Sequence, residues 1–349
     1  MHTIIFKNDA VGDLIHSLNA INNIVQTNKD EKIIIFLSKL NARFSFLVKK
    51  PNVEIKVLNY HLNLLEKIKI FLFLITKKIN SIYILSPKGF YFYLPIIFRN
   101  IKFFAICVDD LNKKKRPTQF LRKYLFKYVV NDREKIFKRK SSRVIQEELT
   151  GTSKNNINLN LKINTSKNLS KNLPSRYIYF HYKKMICEEL GWGLNELKIL
   201  FNELSNYYDN IVFTRDIAGW DQSRGEKNKA GKDISFEETF NLYDLESNKL
   251  INNNSNVLII DNVFGEDLFS VINNSEKVIS FHGMMTLIGY VLDKKVLDLW
   301  HCRINSWNDY RKYRNAFYEF KPKRSNYDFI IPKKSINKTI DKIKFSLKK

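Results

Sequence analysis

The sequence predicts an α/β protein built from two doubly wound domains, each with a mostly parallel sheet. Three observations carry this. Short apolar runs alternate with amphipathic stretches up to about residue 108. A stretch rich in Asn, Ser and Lys, residues 151–175, then lacks any sustained apolar period. After it the alternation restarts and runs to a compact strand–helix–strand pattern at residues 278–299. Strands separated by helices at this spacing pair in parallel.

The elements follow in order. Residues 3–7 form a strand, a polar turn spans residues 8–13, and Leu14, Leu18, Ile21 and Ile24 mark one face of a helix. Strands are expected at 32–37, 53–58, 81–85 and 103–108, with a helix over 62–78. From Lys113 the chain is basic and amphipathic: Lys113-Lys114-Lys115-Arg116-Pro117, then Phe120, Leu121, Tyr124, Leu125 and Tyr128 among Arg122, Lys123 and Lys127. This reads first as a surface helix lying on the sheet and second as a docking site for anionic headgroups. Residues 151–175 are read as an interdomain linker between domains at 1–150 and 176–330. In the second domain, strands are expected at 177–181, 210–214 and 257–260, and helices at 194–204 and 266–273. A mobile loop is expected at 218–233. A basic amphipathic helix near 335–347, within a tail of residues 331–349, is expected to pack back across the two domains. Two such sheets would present their strand ends to a central cleft.

The formal charge of +24 invites a nucleic-acid reading. The excess is mostly Lys spread through a background of Asn, Ile, Phe and Tyr, and no zinc finger or aromatic RNA-reading box accompanies it, so no nucleic-acid partner is expected. Cys107, Cys187 and Cys302 are far apart and form no Cys-x-x-Cys, which suits a reducing compartment and argues against structural zinc. Lys7, Asp9 and Asp13 interrupt the N-terminal apolar run, so no signal peptide is expected. The apolar stretches 68–75 and 90–98 are too short to span a bilayer. A cytoplasmic protein, peripheral at most to the inner membrane, is the expectation.

Candidate chemistry gathers at strand ends. A helix that starts just after Gly283 offers unpaired N–H groups and a positive dipole end to a diphosphate, with Ser280 and His282 beside it. Met284, Met285 and Thr286 supply the first turn, and Lys183, Lys184 and Arg215 are candidate cations. His301 and Arg303, after a strand end, are weaker candidates. Asp13 lies in the first strand–helix turn, where an Asp is either a helix cap or a base; Asp9 is the second choice as base, and Lys7 and Gly12 lie beside them. Asp109-Asp110 lacks the spacer of a metal-binding Asp-x-Asp and reads as a turn or cap, and the Lys-containing segment Gly225 to Gly231 is not a P-loop.

The stretch Ile5 to Leu18, with its strand, polar loop and Gly12-Asp13 before a helix, resembles the opening of the heptosyltransferase-like glycosyltransferases of family 9. Three further stretches resemble the family's landmarks in the same order: Ser81 to Arg99, Tyr177 to Leu204 with Lys183, Lys184 and Trp192, and Phe264 to Leu299. The sequence departs at the closing turn, where the family's Asp-Thr-Gly-x-x-His becomes Phe281-His282-Gly283-Met284-Met285-Thr286 and only the glycine is common. The resemblance implies the GT-B fold, metal-independent transfer with inversion from a nucleotide sugar such as ADP-heptose, and Asp13 as the base. It also implies a bacterial glycan or glycolipid acceptor, lipopolysaccharide core or capsule. The altered turn leaves CMP- or UDP-linked donors as an alternative.

Overall fold

A computed structural model describes residues 1–109, 115–132, 140, 142–151, 163–215, 235–236, 239–251, 255–300 and 326–347. The expected loop at 218–233, the Gly225 to Gly231 segment, Asp110, His301, Cys302 and Arg303 lie outside these residues. The chain divides into two compact units; among the described residues one runs from Met1 to Gly151 and the other from Ile163 to Leu347.

The first unit follows the sequence closely through its fifth strand: β1 (His2–Lys7), α1 (Val11–Thr27), β2 (Lys32–Ser38), α2 (Lys39–Ala42), β3 (Val53–Leu58), α3 (Leu64–Thr76), β4 (Ile79–Ile84), α4 (Leu94–Ile97) and β5 (Lys102–Asp109). It continues with β6 (Lys115–Arg116), α5 (Gln119–Arg122), β7 (Lys127–Asp132) and α6 (Ser142–Thr150). The strand order is β3-β2-β1-β4-β5, with β7 added parallel to β5 and β6 antiparallel to its end. Isoleucines and phenylalanines fill β1 and β2 on both faces, as a sheet covered on two sides requires. Ile4, Phe6, Ile34 and Phe36 face a core shared with Ile70 and Leu74 of α3, Leu94 of α4 and Leu121 of α5. On α1, Asn19 donates to Glu147 of α6 at 2.7 Å.

The basic helix expected after Lys113 does not form. Pro117 interrupts it, only α5 is helical, and the β-branched pair Val129-Val130 carries β7 into the sheet. Arg122, expected on a solvated face, is buried: its Nε donates to Pro117 O at 3.1 Å and its guanidinium pairs with Asp109.

The second unit contains α7 (Lys167–Asn172), β8 (Ile178–His181), α8 (Lys184–Leu190), α9 (Leu194–Ser205), β9 (Ile211–Thr214), β10 (Asn241–Asp244), β11 (Lys249–Ile251) and β12 (Val257–Asp261). It ends with α10 (Gly265–Asn274), β13 (Lys277–Phe281), α11 (Met284–Val291), β14 (Lys295–Leu299), β15 (Tyr327–Ile330) and α12 (Ile336–Leu347). The order is β11-β10-β12-β9-β8-β13-β14-β15, parallel except for β11. Part of the expected linker is ordered structure: Ser166 N donates to Asp267 Oδ1 at 2.9 Å and Leu169 is buried. The C-terminal helix α12 packs on α9 and β15, with Ile336, Ile340 and Ile343 in the second unit's core and Lys344 paired to Glu203 at 2.7 Å.

Candidate functional site

Each sheet reverses its winding once. In the first unit the reversal lies between β1 and β4, in the second between β8 and β13. The crevice outside the strand ends at such a point is where open α/β sheets bind ligands. Lys7, Asp9, Gly12 and Asp13 fall at the first of these places, and Lys183, His282 and Gly283 at the second.

In the first unit the chain leaving β1 is tied down on every side. Lys7, only 1% exposed, donates to Asp9 Oδ2 at 2.8 Å. Ser38 Oγ donates to Asp9 O at 2.7 Å, and Asn41 Nδ2 donates to Lys7 O at 3.0 Å. Asn8 is buried; its Oδ1 accepts from Tyr91 at 2.9 Å and its carbonyl accepts from Lys88 Nζ at 2.7 Å. Burial pushes the Asp9 carboxyl up, against the pull of Lys7, and the nearby Asp13 charge pushes it further. Asp9, Lys7 and Asp13 therefore form one electrostatic cluster. Burial also pulls the Lys88 ammonium down to about 8, partly opposed by Asp9 and Glu66.

Asp13 is a partly exposed residue of the first turn of α1, and not its cap: that position is Ala10, which makes no side-chain capping bond. Gly12 stands between, so the turn presents main-chain N–H groups with little side chain over them. Lys7 is engaged with Asp9 inside the protein, which removes it as a contact to a diphosphate or acceptor.

In the second unit the ends of β8 and β13 bring Lys183 onto the Gly283 turn. Lys183 Nζ donates to His282 O at 3.0 Å, and it lies 3.0 Å from where a Cβ on Gly283 would stand. A side chain at 283 would crowd the ammonium, which would have to give by a few tenths of an ångström. Gly283 N donates to Thr286 Oγ1 at 3.2 Å, and that hydroxyl donates to Gly283 O at 2.6 Å, squaring off the start of α11. The first-turn N–H groups of Met284, Met285 and Thr286 have no carbonyl one turn behind them within the helix. An ammonium above such a helix end makes an anion site.

His282 is oriented from beneath. Its Nδ1 lies 2.9 Å from Oδ2 of the fully buried Asp298, and Tyr327 donates to the same oxygen at 2.8 Å. A carboxylate there places the proton on Nδ1 and the acceptor lone pair on Nε2. The imidazole rests on Trp300, ring centroids 4.0 Å apart.

Other candidates are engaged elsewhere. Arg215 donates to Asp261 through both Nε and Nη2 and lies 5.3 Å from the Phe236 ring. Lys184 pairs with Glu188 on its own helix at 3.6 Å. Ser280 is fully buried, with its hydroxyl donating to Phe281 O at 2.9 Å, so it faces the core and not the turn. Among the described residues no cluster of His, Cys, Asp and Glu is placed to hold a metal ion, and no helix is long and apolar enough to cross a membrane.

By sequence, no protein-family model and no curated protein matches the chain. By structure, a family 9 glycosyltransferase from Veillonella parvula matches with a TM-score of 0.59 at 11% identity, covering 100% of this chain and 89% of that one. The E. coli heptosyltransferase WaaC with ADP matches with a TM-score of 0.58 at 12% identity, covering 100% and 99%. The UDP-GlcNAc 2-epimerase of Methanocaldococcus jannaschii matches with a TM-score of 0.54 at 12% identity, covering 99% and 92%. The chain has the GT-B fold. Within this GT-B chain, Asp298, Tyr327 and Trp300, which orient His282, and Lys88 and Tyr91, which brace Asn8, were not singled out in the sequence. Asp298 had one signal: a lone carboxylate in the otherwise apolar strand Val296-Leu297-Asp298-Leu299.

Proposed function

We propose that this protein is an inverting, metal-independent glycosyltransferase that takes a sugar, a heptose or similar, from a nucleoside diphosphate sugar to a bacterial cell-surface glycan. Lipopolysaccharide core or capsule is the proposed acceptor class, and the cytoplasm, with its pool of activated sugars, is the proposed compartment. The observation that carries this reading is the ammonium of Lys183 above the N-terminus of α11, beside the braced His282. A cation and a helix end together neutralise a departing diphosphate where no metal does so. In the proposed step Asp13 takes the proton from the acceptor hydroxyl, whose oxygen attacks the anomeric carbon. The bond from that carbon to the diphosphate oxygen breaks, and the diphosphate leaves with the electron pair.

The test is a thermal-shift series with ADP, UDP, GDP and CMP compounds, with and without chelator. One nucleoside diphosphate is expected to raise the melting temperature whether or not chelator is present, and Lys183→Ala should remove most of that shift. No shift with any nucleotide would sink the reading. A second reading, a UDP-sugar enzyme, draws on the likeness to the 2-epimerase and on the altered turn at His282-Gly283; selective stabilisation by UDP would favour it.

A further inference from the structure

Helix α3 breaks the pattern that the other surface helices keep. Ile70 and Leu74 anchor it to the sheet. At about 100° per residue, Leu64, Leu65, Ile68, Leu72 and Ile75 gather on the opposite stripe, and there they are 46–70% exposed. A helix on a water-facing surface carries polar residues at such positions; one that is apolar all round is covered by something. The stripe continues onto α4, where Phe98 meets Phe71 at 5.5 Å and Ile97 is exposed. Both helices cover the same face of the sheet, since Ile70, Leu74 and Leu94 share one core.

The charges around the stripe are of one sign. Lys67, Lys69, Lys77 and Lys78 lie on or just beyond α3, and Arg99 follows α4. The single acid on α3, Glu66, is engaged in the helix cap, accepting from Asn63 N at 3.1 Å and Asn59 N at 2.7 Å.

We infer that the α3–α4 layer docks on the surface of an anionic lipid bilayer. The aliphatic stripe lies among the upper acyl chains and the lysines on headgroup phosphates. Helix α3, with thirteen residues, is about 20 Å long and lies in the interface plane without spanning it. A second copy of the chain is a worse occupant, because in a two-fold pair this patch meets itself and sets lysines against lysines. In the 113–127 stretch, by contrast, Arg122 is buried in an ion pair and lends no charge to a headgroup.

Cosedimentation with vesicles decides it. The whole chain should bind vesicles of phosphatidylglycerol mixed into phosphatidylcholine far better than pure phosphatidylcholine, and added salt should weaken that binding. Leu64→Ser/Ile68→Ser/Leu72→Ser should lower the partition about a hundredfold while its melting temperature and its nucleotide response stay unchanged. Lys69→Glu/Lys77→Glu, which leaves the stripe intact, should remove the preference for anionic vesicles. Three results would overturn the inference: no binding of the unaltered chain to anionic vesicles, undiminished binding by the serine variant, or a stable dimer in solution that the serine variant dissociates. Because no readout depends on transfer, the result stands whatever becomes of the proposed activity.

Discussion

Lys7 and Asp9 set the terms at the β1 strand end. A buried ammonium is tolerable only with its carboxylate in place, so Asp9→Asn should cost about 3–5 kcal/mol, measured by urea unfolding. Replacing both partners, Lys7→Met/Asp9→Leu, should recover most of that loss, because the penalty comes from an orphaned charge and not from a missing attraction. Lys88 gives a pH signature. Burial lowers its folded value to about 8 from 10.5, so between those limits the unfolded chain binds more protons and stability rises with pH. Lys88→Met should flatten that rise in a series of melts from pH 8 to 10.5. At the other site, Asp298→Asn should leave the fold intact but loosen the His282 ring, which would appear as weaker nucleotide-induced stabilisation in thermal-shift melts.

Among the elements, the sequence showed most clearly what apolar periodicity writes. Edge strand β3 stands where its alternation of Val53, Ile55 and Val57 with Glu54 and Lys56 puts it, and β13–α11–β14 stands where its continuous apolar runs do, as buried parallel strands require. Periodicity failed where a tertiary partner decides. The Lys113 to Tyr128 stretch has helical spacing, yet Pro117 and the free edge of β5 made β7 the better outcome. Strand β15, which holds Tyr327 against Asp298, joins the edge beside β14 and has no strong pattern of its own. Of the site, the Asp13 and Gly283 turns could be read because glycine and carboxylate at strand–helix junctions are local signals. The braces at Tyr327 and Lys88 could not, and the lone carboxylate of Asp298 did not name its partner, since each reaches that partner from a different strand or loop. Packing along α11 yields a test. A side chain at Gly289 would begin 3.0 Å from Val296 and 3.2 Å from Val278. Gly289→Val should therefore cost about 1–3 kcal/mol by overpacking, read from chemical denaturation.

Among the described residues, one hydrophobic core gathers around Phe6 and Phe36 in the first unit and another around Phe180 and Phe213 in the second. Calorimetry should resolve two transitions. Phe36→Ala and Phe180→Ala, each costing about 3–5 kcal/mol, should each lower a different one; equal lowering of a single transition would show that the units unfold together. The charge of +24 should make both transitions rise with moderate salt, as self-repulsion is screened.

The order of the strands also has a consequence in time. Strand β1 is flanked by β4, with His2 opposite Ile79, and β8 is flanked by β13, with Ile178 opposite Lys277. A ribosome therefore releases each central strand long before one of its neighbours exists, and closing such long loops is slow. Until then Ile4, Phe6, Tyr179 and Phe180 wait with one flank bare, so the nascent chain should depend on a holding chaperone during synthesis more than the finished protein does.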